Sequence, residues 1–315
     1  MPKYLDLESI KYLAIYTGTK GREQCACRCA GCLLQFWGER KVTQGSIENV
    51  HELIKTLPNL SCALLCGNPD PCVDTDFCNA AAKVFQQHGI RTSFYTSGIG
   101  GVKTLEKLFD GIDLKCADII FSLDSLDNKK LAILKGRKEY TLEKVTECFD
   151  WCRERKIKMS SYSTVWQINV DEDWLKFHEY CKEHGVKHMT LSIGSQHLGR
   201  LIVDMPYITP VQGKVLREKY RGLFKISNDS LPRGEEGFLP LCRNEKNGQM
   251  WVYLMGDKVM ACCCDALALT RPEFLVDLST KKVPIMCDSG DECPRDVQAQ
   301  EIDPEYYYSC LHYRI

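Results

Sequence analysis

Six short apolar runs, separated by amphipathic stretches of helical period, constrain this 315-residue chain more than any other feature. The runs are YLAIYT (12–17), CALLC (62–66), RTSFYT (91–96), DIIFSL (118–123), KMSSYSTV (158–165) and HMTLSI (188–193). The intervening periodic stretches predict helices over 46–56, 76–88, 102–109, 141–155 and 172–184. Such alternation argues for parallel βα units and an α/β fold, whose sites gather at the carboxyl ends of the strands. Local signals agree with it. Gly89 in QQHGI and Gly185 in KEHGV stand just past a helix, where a left-handed backbone is needed, and Thr141 offers an N-cap.

After about residue 200 the pattern changes. LPRGEEGFLPLC (231–242) is loop-like, and MWVYLMGDKVMACCC (250–264) reads as a strand, a Gly-Asp turn and a second strand. The chain therefore divides into 1–205 and a cysteine-rich extension, 206–315.

Hydrophobic residues make up 44% and charged residues 26%, the composition of a folded domain, and the net charge of −1 gives no basic excess for nucleic acid. No apolar run approaches the roughly 20 residues of a membrane span. The N-terminus lacks the apolar core and small-residue cleavage site of a signal peptide, which predicts a cytoplasmic protein. Disulfides are rare there, so 19 cysteines need another account. Packing accounts for Cys148, Cys152 and Cys181 on predicted helices. Dense clusters in loops point to metal.

The densest cluster, CACRCAGC (25–32), follows the first strand. Cys25, Cys29 and Cys32 have the spacing C-x3-C-x2-C. Three thiolates on one loop hold three irons of a cubane cluster and leave the fourth iron open for chemistry. Ligand sets that include Cys27 remain open, as does zinc, since C-x2-C is half a zinc knuckle.

This spacing after the first strand resembles the radical S-adenosylmethionine (SAM) enzymes, and further motifs extend the likeness over residues 10 to 200. LLCGNPDP resembles that family's GGEP strand end, with Gly67, Asn68 and Pro69 in its place and its acid missing. FYTSGIG resembles the TNG turn, with Ser97 at the Asn position. FSLDSLD followed by LKGRKEYTLEKV resembles the SxD…RG segment of the subfamily with extra clusters. The resemblance implies that Ser122 and Asp124 face the sugar and methionine of SAM and that Arg137 or Lys135 meets its carboxylate. TVWQIN, with Asn169, fits the fifth strand of that subfamily. Gly31 replaces the aromatic residue common before the third cysteine, which leaves Phe36 or Trp37 for the adenine.

A second group comprises Cys242, Cys262, Cys263, Cys264, Cys287, Cys293 and Cys310. Cys242, Gly256 and Cys262 give C-x13-G-x5-C, which resembles the entry to the SPASM or twitch extension of radical SAM enzymes. The resemblance implies at least one auxiliary [4Fe–4S] cluster held by Cys242, Cys262 or one of its two neighbours, Cys287, Cys293 and Cys310; zinc is the alternative. The implied fold is a partial (β/α)6 TIM-like barrel with a small extension containing a β-hairpin.

The implied activity is reductive cleavage of SAM to a 5′-deoxyadenosyl radical, which abstracts hydrogen from a substrate carbon. A ribosomally made peptide undergoing epimerisation or crosslinking is the expected substrate, with flavodoxin or ferredoxin as reductant. A small-molecule dehydrogenase, a glycyl-radical activating enzyme and a non-catalytic zinc or iron–sulfur protein are the alternatives. GSQHLGR after the last strand offers Gln196, His197 and Arg200 as substrate contacts or as ordinary loop residues, and Tyr306, Tyr307 and Tyr308 read as packing.

Overall fold

The computed structural model describes residues 4–16, 25–30, 46–66, 70–193, 208–227, 230–232, 250–255, 258–260, 282–284 and 306–308. A short strand β1 (Tyr4–Asp6) precedes β2 (Ile10–Tyr16). Then follow α1 (Ile47–Thr56), β3 (Cys62–Cys66), α2 (Thr75–Gln87), β4 (Arg91–Thr96), α3 (Val102–Leu108) and β5 (Ala117–Ser122). After them come α4 (Asn128–Lys135), α5 (Leu142–Glu154), β6 (Lys158–Val165), α6 (Trp174–Glu183) and β7 (His188–Ile193). Strands β2 to β7 are the six apolar runs, each within a residue or two of its predicted ends.

The helix signals act as physics requires. Ser46 caps α1 through the Asn49 N–H and Thr141 caps α5 through the Lys144 N–H. Gly89 and Gly185 adopt φ of 71° and 89° just past α2 and α6.

One helix–strand unit lies beyond the point where the pattern was read as changing: α7 (Pro210–Tyr220), closed at its start by a Thr209–Gln212 capping box, and β8 (Lys225–Ser227). Strand β8 pairs parallel to β7. The read hairpin also forms, as β10 (Met250–Met255) and β11 (Lys258–Met260), after a short β9 (Ser230–Pro232). Strand β10 then pairs parallel to β2, with Trp251 beside Tyr12 and Met255 beside Tyr16. The result is one nine-stranded sheet in the order β11-β10-β2-β3-β4-β5-β6-β7-β8, parallel throughout except for β11. Two antiparallel pairs lie outside it: β1 with β12 (Lys282–Pro284), and β9 with β13 (Tyr306–Tyr308). Among the described residues no pairing joins β11 to β8, so this α/β sheet is a partial, TIM-like barrel.

Side chains alternate across each strand. Leu13, Leu65, Phe94, Phe121 and Leu191 pack with Phe85, Phe149 and Phe177 of the helices in one core. The Phe94–Phe109 and Phe121–Phe149 rings meet edge-on at 4.9 Å. Each fully buried aromatic of this kind contributes about 1.5–3 kcal/mol, and together they fix which face of each strand is turned away from the helices.

Candidate functional site

The cysteine loop follows β2 and is described from Cys25 to Ala30. Backbone hydrogen bonds fasten it to the end of α4: the Arg28 N–H donates to the Lys135 carbonyl at 2.7 Å and the Ala30 N–H to the Leu134 carbonyl at 3.2 Å. Arg137 donates through Nε to the Ala26 carbonyl at 2.8 Å. Arg28 in turn donates to the carbonyls of Cys25 and Cys27. The contact is close because Gly136 ends α4 with φ of 61°. A Cβ there would overlap the Arg28 carbonyl. Gly136→Ala is therefore expected to lower stability by about 1–2 kcal/mol through the left-handed backbone alone, and further through displacement of the loop. A urea unfolding midpoint compared with wild type checks the first effect and iron uptake the second.

The three described thiols of this loop differ. Cys25 and Cys29 are half-buried and Cys27 is buried. Burial pushes the Cys25 thiol up. A hydrogen bond from Cys27 pulls the Cys29 thiol down, and the Lys135 charge adds to it, whereas the same bond and burial push Cys27 up. Cys29 is thus the more readily deprotonated thiol of the pair. Among the described residues no three His, Cys, Asp or Glu side chains gather closely enough to hold a metal ion; Cys32 lies outside them.

Beside the loop, the carboxyl ends of β4 and β5 form one polar group. Lys135 Nζ lies 2.6 Å from Asp124 Oδ2 and donates to Ser122 Oγ at 2.8 Å. The lysine side chain is only 3% exposed and that of Asp124 8%. Burial works against the Lys135 charge, but the Asp124 carboxylate, together with Tyr140, Cys29 and Cys27, more than offsets it and holds the amine protonated. Asp124 Oδ1 accepts the Thr164 N–H at 2.7 Å, so both of its oxygens are engaged. Buried Asn169 closes the turn after β6, donating to the carbonyls of Asp124 and Thr164 and accepting the Trp166 N–H. Tyr140, fully buried, shares its hydroxyl hydrogen between the carbonyls of Ser97 at 2.9 Å and Ser122 at 3.0 Å, tying β4 to β5.

Of the residues singled out in the sequence, Cys25, Cys29, Ser97, Ser122, Asp124, Lys135 and Arg137 surround this strand end. Arg137 reaches the cysteine loop's backbone, and Lys135 is the cation buried beside Ser122. Gly67, Asn68 and Pro69 lie outside the described residues, as do Gly31, Cys32, Phe36, Trp37, Gln196, His197 and Arg200. So do Cys242, Cys262, Cys263, Cys264, Cys287, Cys293 and Cys310. Tyr306, Tyr307 and Tyr308 form β13.

Asp70 was missed. It is buried and takes four hydrogen bonds: from Thr96 Oγ1 at 2.6 Å and the Cys72 N–H at 3.0 Å on Oδ1, and from the Ser97 N–H at 2.6 Å and Ser97 Oγ at 2.7 Å on Oδ2. Asp70 thus supplies a buried carboxylate in the segment after β3. The signal was the Asp-Pro that closes LLCGNPDP.

No family model matches the chain, and no curated protein matches it. Solved structures do. Streptococcus suis SuiB bound to its precursor peptide SuiA superposes on 94% of this chain and 65% of its own length, at 13% identity and a TM-score of 0.61. SuiB bound to SAM covers 81% and 61%, at 12% identity and a TM-score of 0.57. Native anSMEcpe, with bound SAM and the Cp18Cys peptide, covers 81% and 74% at 15% identity and a TM-score of 0.57. The chain thus spans 61–65% of the length of the SuiB structures it matches. At such identities the likeness is one of fold, and the fold is the one these proteins share.

Proposed function

We propose that this chain is a radical SAM enzyme that holds a [4Fe–4S] cluster on Cys25, Cys29 and Cys32. The observation that carries the reading is the docking of the thiol-bearing loop against Ser97 and Lys135 at the carboxyl edge of this partial barrel. Edge-of-sheet sites of this kind are where α/β folds bind ligands. The donors present fit the group: two half-buried thiols, one of them drawn towards thiolate, beside a buried ammonium suited to a carboxylate. When bound, cluster and SAM supply reductive cleavage of the sulfonium C–S bond and hydrogen abstraction from a substrate carbon.

The residues divide the remaining work. Lys135 offers its Nζ to the methionine carboxylate of SAM, and Ser122 Oγ stands beside it. Asp124, with both oxygens engaged, holds Lys135 charged and aimed. Arg137 braces the cysteine loop through the Ala26 carbonyl. We assign the methionine amino group to the backbone of Gly67, Asn68 and Pro69. The core aromatics and the helices behind the sheet keep water from that side of the site.

The substrate we infer is a ribosomally made peptide, modified by epimerisation or crosslinking. Support comes from the fold shared with SuiB, which was solved with a precursor peptide, and with anSMEcpe, solved with a peptide. We assign residues 206–315 to an auxiliary [4Fe–4S] region whose four thiolates are drawn from Cys242, Cys262 or one of its two neighbours, Cys287, Cys293 and Cys310. A flavodoxin or ferredoxin in the cytoplasm supplies the electron. Among the described residues no helix is long and apolar enough to cross a membrane.

Anaerobic reconstitution with iron and sulfide tests the assignment. About eight irons per chain, with 5′-deoxyadenosine released on dithionite reduction, are expected for one SAM cluster and one auxiliary cluster. Stoichiometric zinc without SAM cleavage would refute it. Cys310→Ala is expected to retain SAM cleavage while halting turnover of the peptide, which product mass spectrometry would show.

A further inference from the structure

The segment after β6 clamps the turn after β5, and the clamp closes on the residues next to Asp124. Glu172 stands just before α6, with its side chain 9% exposed. Its Oε2 accepts the Ser125 hydroxyl at 2.6 Å and its Oε1 the Leu126 N–H at 3.0 Å. Lys130 Nζ, from the first turn of α4, lies 3.6 Å from Glu172 Oε2 and 2.7 Å from Asp171 Oδ1. Fully buried Ser125 passes the hold on. Its one hydroxyl hydrogen goes to Glu172, and its Oγ accepts the Asp127 N–H at 3.0 Å. Asp127 in turn caps α4 through the N–H groups of Lys129 and Lys130. The Glu172 N–H donates to the Asn169 carbonyl at 3.1 Å, so the clamp and the side chain that holds the Asp124 carbonyl belong to one turn.

These bonds bear on Lys135, the last residue of α4. The helix is fixed at its start by Glu172, directly at Lys130 and by way of Ser125 and Asp127. It is fixed at its end by the pair of Lys135 with Asp124, the residue before Ser125. We propose, resting on the function above, that Glu172 is a positioning residue for SAM: it acts through Asp124 and α4 to hold the Lys135 ammonium where the methionine carboxylate meets it. Removing the Glu172 carboxylate leaves the Ser125 hydroxyl and the Leu126 N–H without their acceptor in a buried turn, and frees the start of α4 from the segment after β6. The loss then falls on the ligand's carboxylate and leaves its nucleoside end alone.

The test uses the full chain, reconstituted anaerobically, with Glu172→Ala and Glu172→Gln beside the double variant Lys135→Met/Asp124→Asn. Iron per chain and dissociation constants are measured for two probes: SAM, and 5′-methylthioadenosine, which keeps the nucleoside and lacks the carboxylate. Urea midpoints show which variants are folded. Both Glu172 variants are expected to keep the wild-type iron content. Glu172→Ala is expected to weaken SAM by about three- to tenfold and 5′-methylthioadenosine by less than about twofold. Glu172→Gln keeps one acceptor oxygen and is expected to weaken SAM by about two- to threefold; it carries the same comparison should the alanine variant not fold. Two outcomes overturn the proposal: unchanged SAM affinity in the folded Glu172 variants, or equal weakening of both probes, which a merely structural clamp would give. Wild-type SAM affinity in Lys135→Met/Asp124→Asn refutes the assignment of Lys135 in the proposed function instead. A wild-type chain that takes up no iron and cleaves no SAM refutes that function as a whole, and is recognised before any variant is compared.

Discussion

Cys29→Ala is expected to abolish SAM cleavage altogether and to remove about four irons per chain. Cys29 is the thiol that its surroundings draw towards thiolate, through the Cys27 bond and the Lys135 charge. In the proposed function it is also the middle ligand of the C-x3-C-x2-C run, so its loss would leave Cys25 and Cys32 seven positions apart with nothing between them on the metal. Two thiolates do not retain a cubane cluster, and without the cluster no electron reaches the sulfonium. Iron analysis and release of 5′-deoxyadenosine after dithionite reduction are the measurements. Full cleavage by the Cys29 variant would refute the assignment of this loop. The folded chain itself should persist, since Cys29 is half-buried and the loop is anchored by backbone bonds of Arg28 and Ala30.

The second large effect falls on stability. Lys135→Met is expected to destabilise the chain by about 3–5 kcal/mol, because it strands the Asp124 carboxylate in a buried place with the Thr164 N–H as its remaining partner in the group described. Lys135 carries 3% exposure, so water cannot replace it. The double variant Lys135→Met/Asp124→Asn removes both charges and keeps an acceptor for the Thr164 N–H; it is expected to regain most of the loss. Coupling of that size is read from urea unfolding midpoints of the four proteins in a double-mutant cycle. Additive losses would show that the two groups do not act as a pair. In the proposed function the double variant still fails to bind SAM tightly, since the ammonium assigned to the carboxylate is gone. Stability and affinity thus part company in one protein, which separates the structural from the functional role of the lysine.

Much of the fold was legible because parallel strands buried on both faces read as short, nearly continuous apolar runs. CALLC and DIIFSL show it, and the left-handed glycines at 89 and 185 mark the helix ends between them. Helix α4 was not legible. NKKLAILK buries Leu131, Leu134 and Lys135 and leaves Ile133 54% exposed, too few apolar positions for a periodic signal. Yet α4 delivers Lys135, Gly136 and the backbone that holds the cysteine loop. The placement of Lys135 rather than Arg137 beside Ser122 follows from that missed helix: the last residue of α4 turns inwards, while Arg137 emerges after the left-handed glycine. Asp70 was hidden for a different reason. Local sequence records an Asp-Pro turn, but the partners that make this carboxylate part of the site, Thr96 and Ser97, come from the next strand. The parallel pairing of β10 with β2 is non-local in the same sense, since the alternation of residues within a strand does not say which edge it will join.

That pairing bears on how the protein can be dissected. Strand β2 leads directly into the cysteine loop, and β10 supplies one of its two neighbours in the sheet. A fragment ending at residue 205 would strip β2 of that neighbour and leave a row of bare amides and carbonyls along an apolar strand, a template for edge-to-edge aggregation. Insolubility of such a fragment would then report a severed sheet and say nothing about iron.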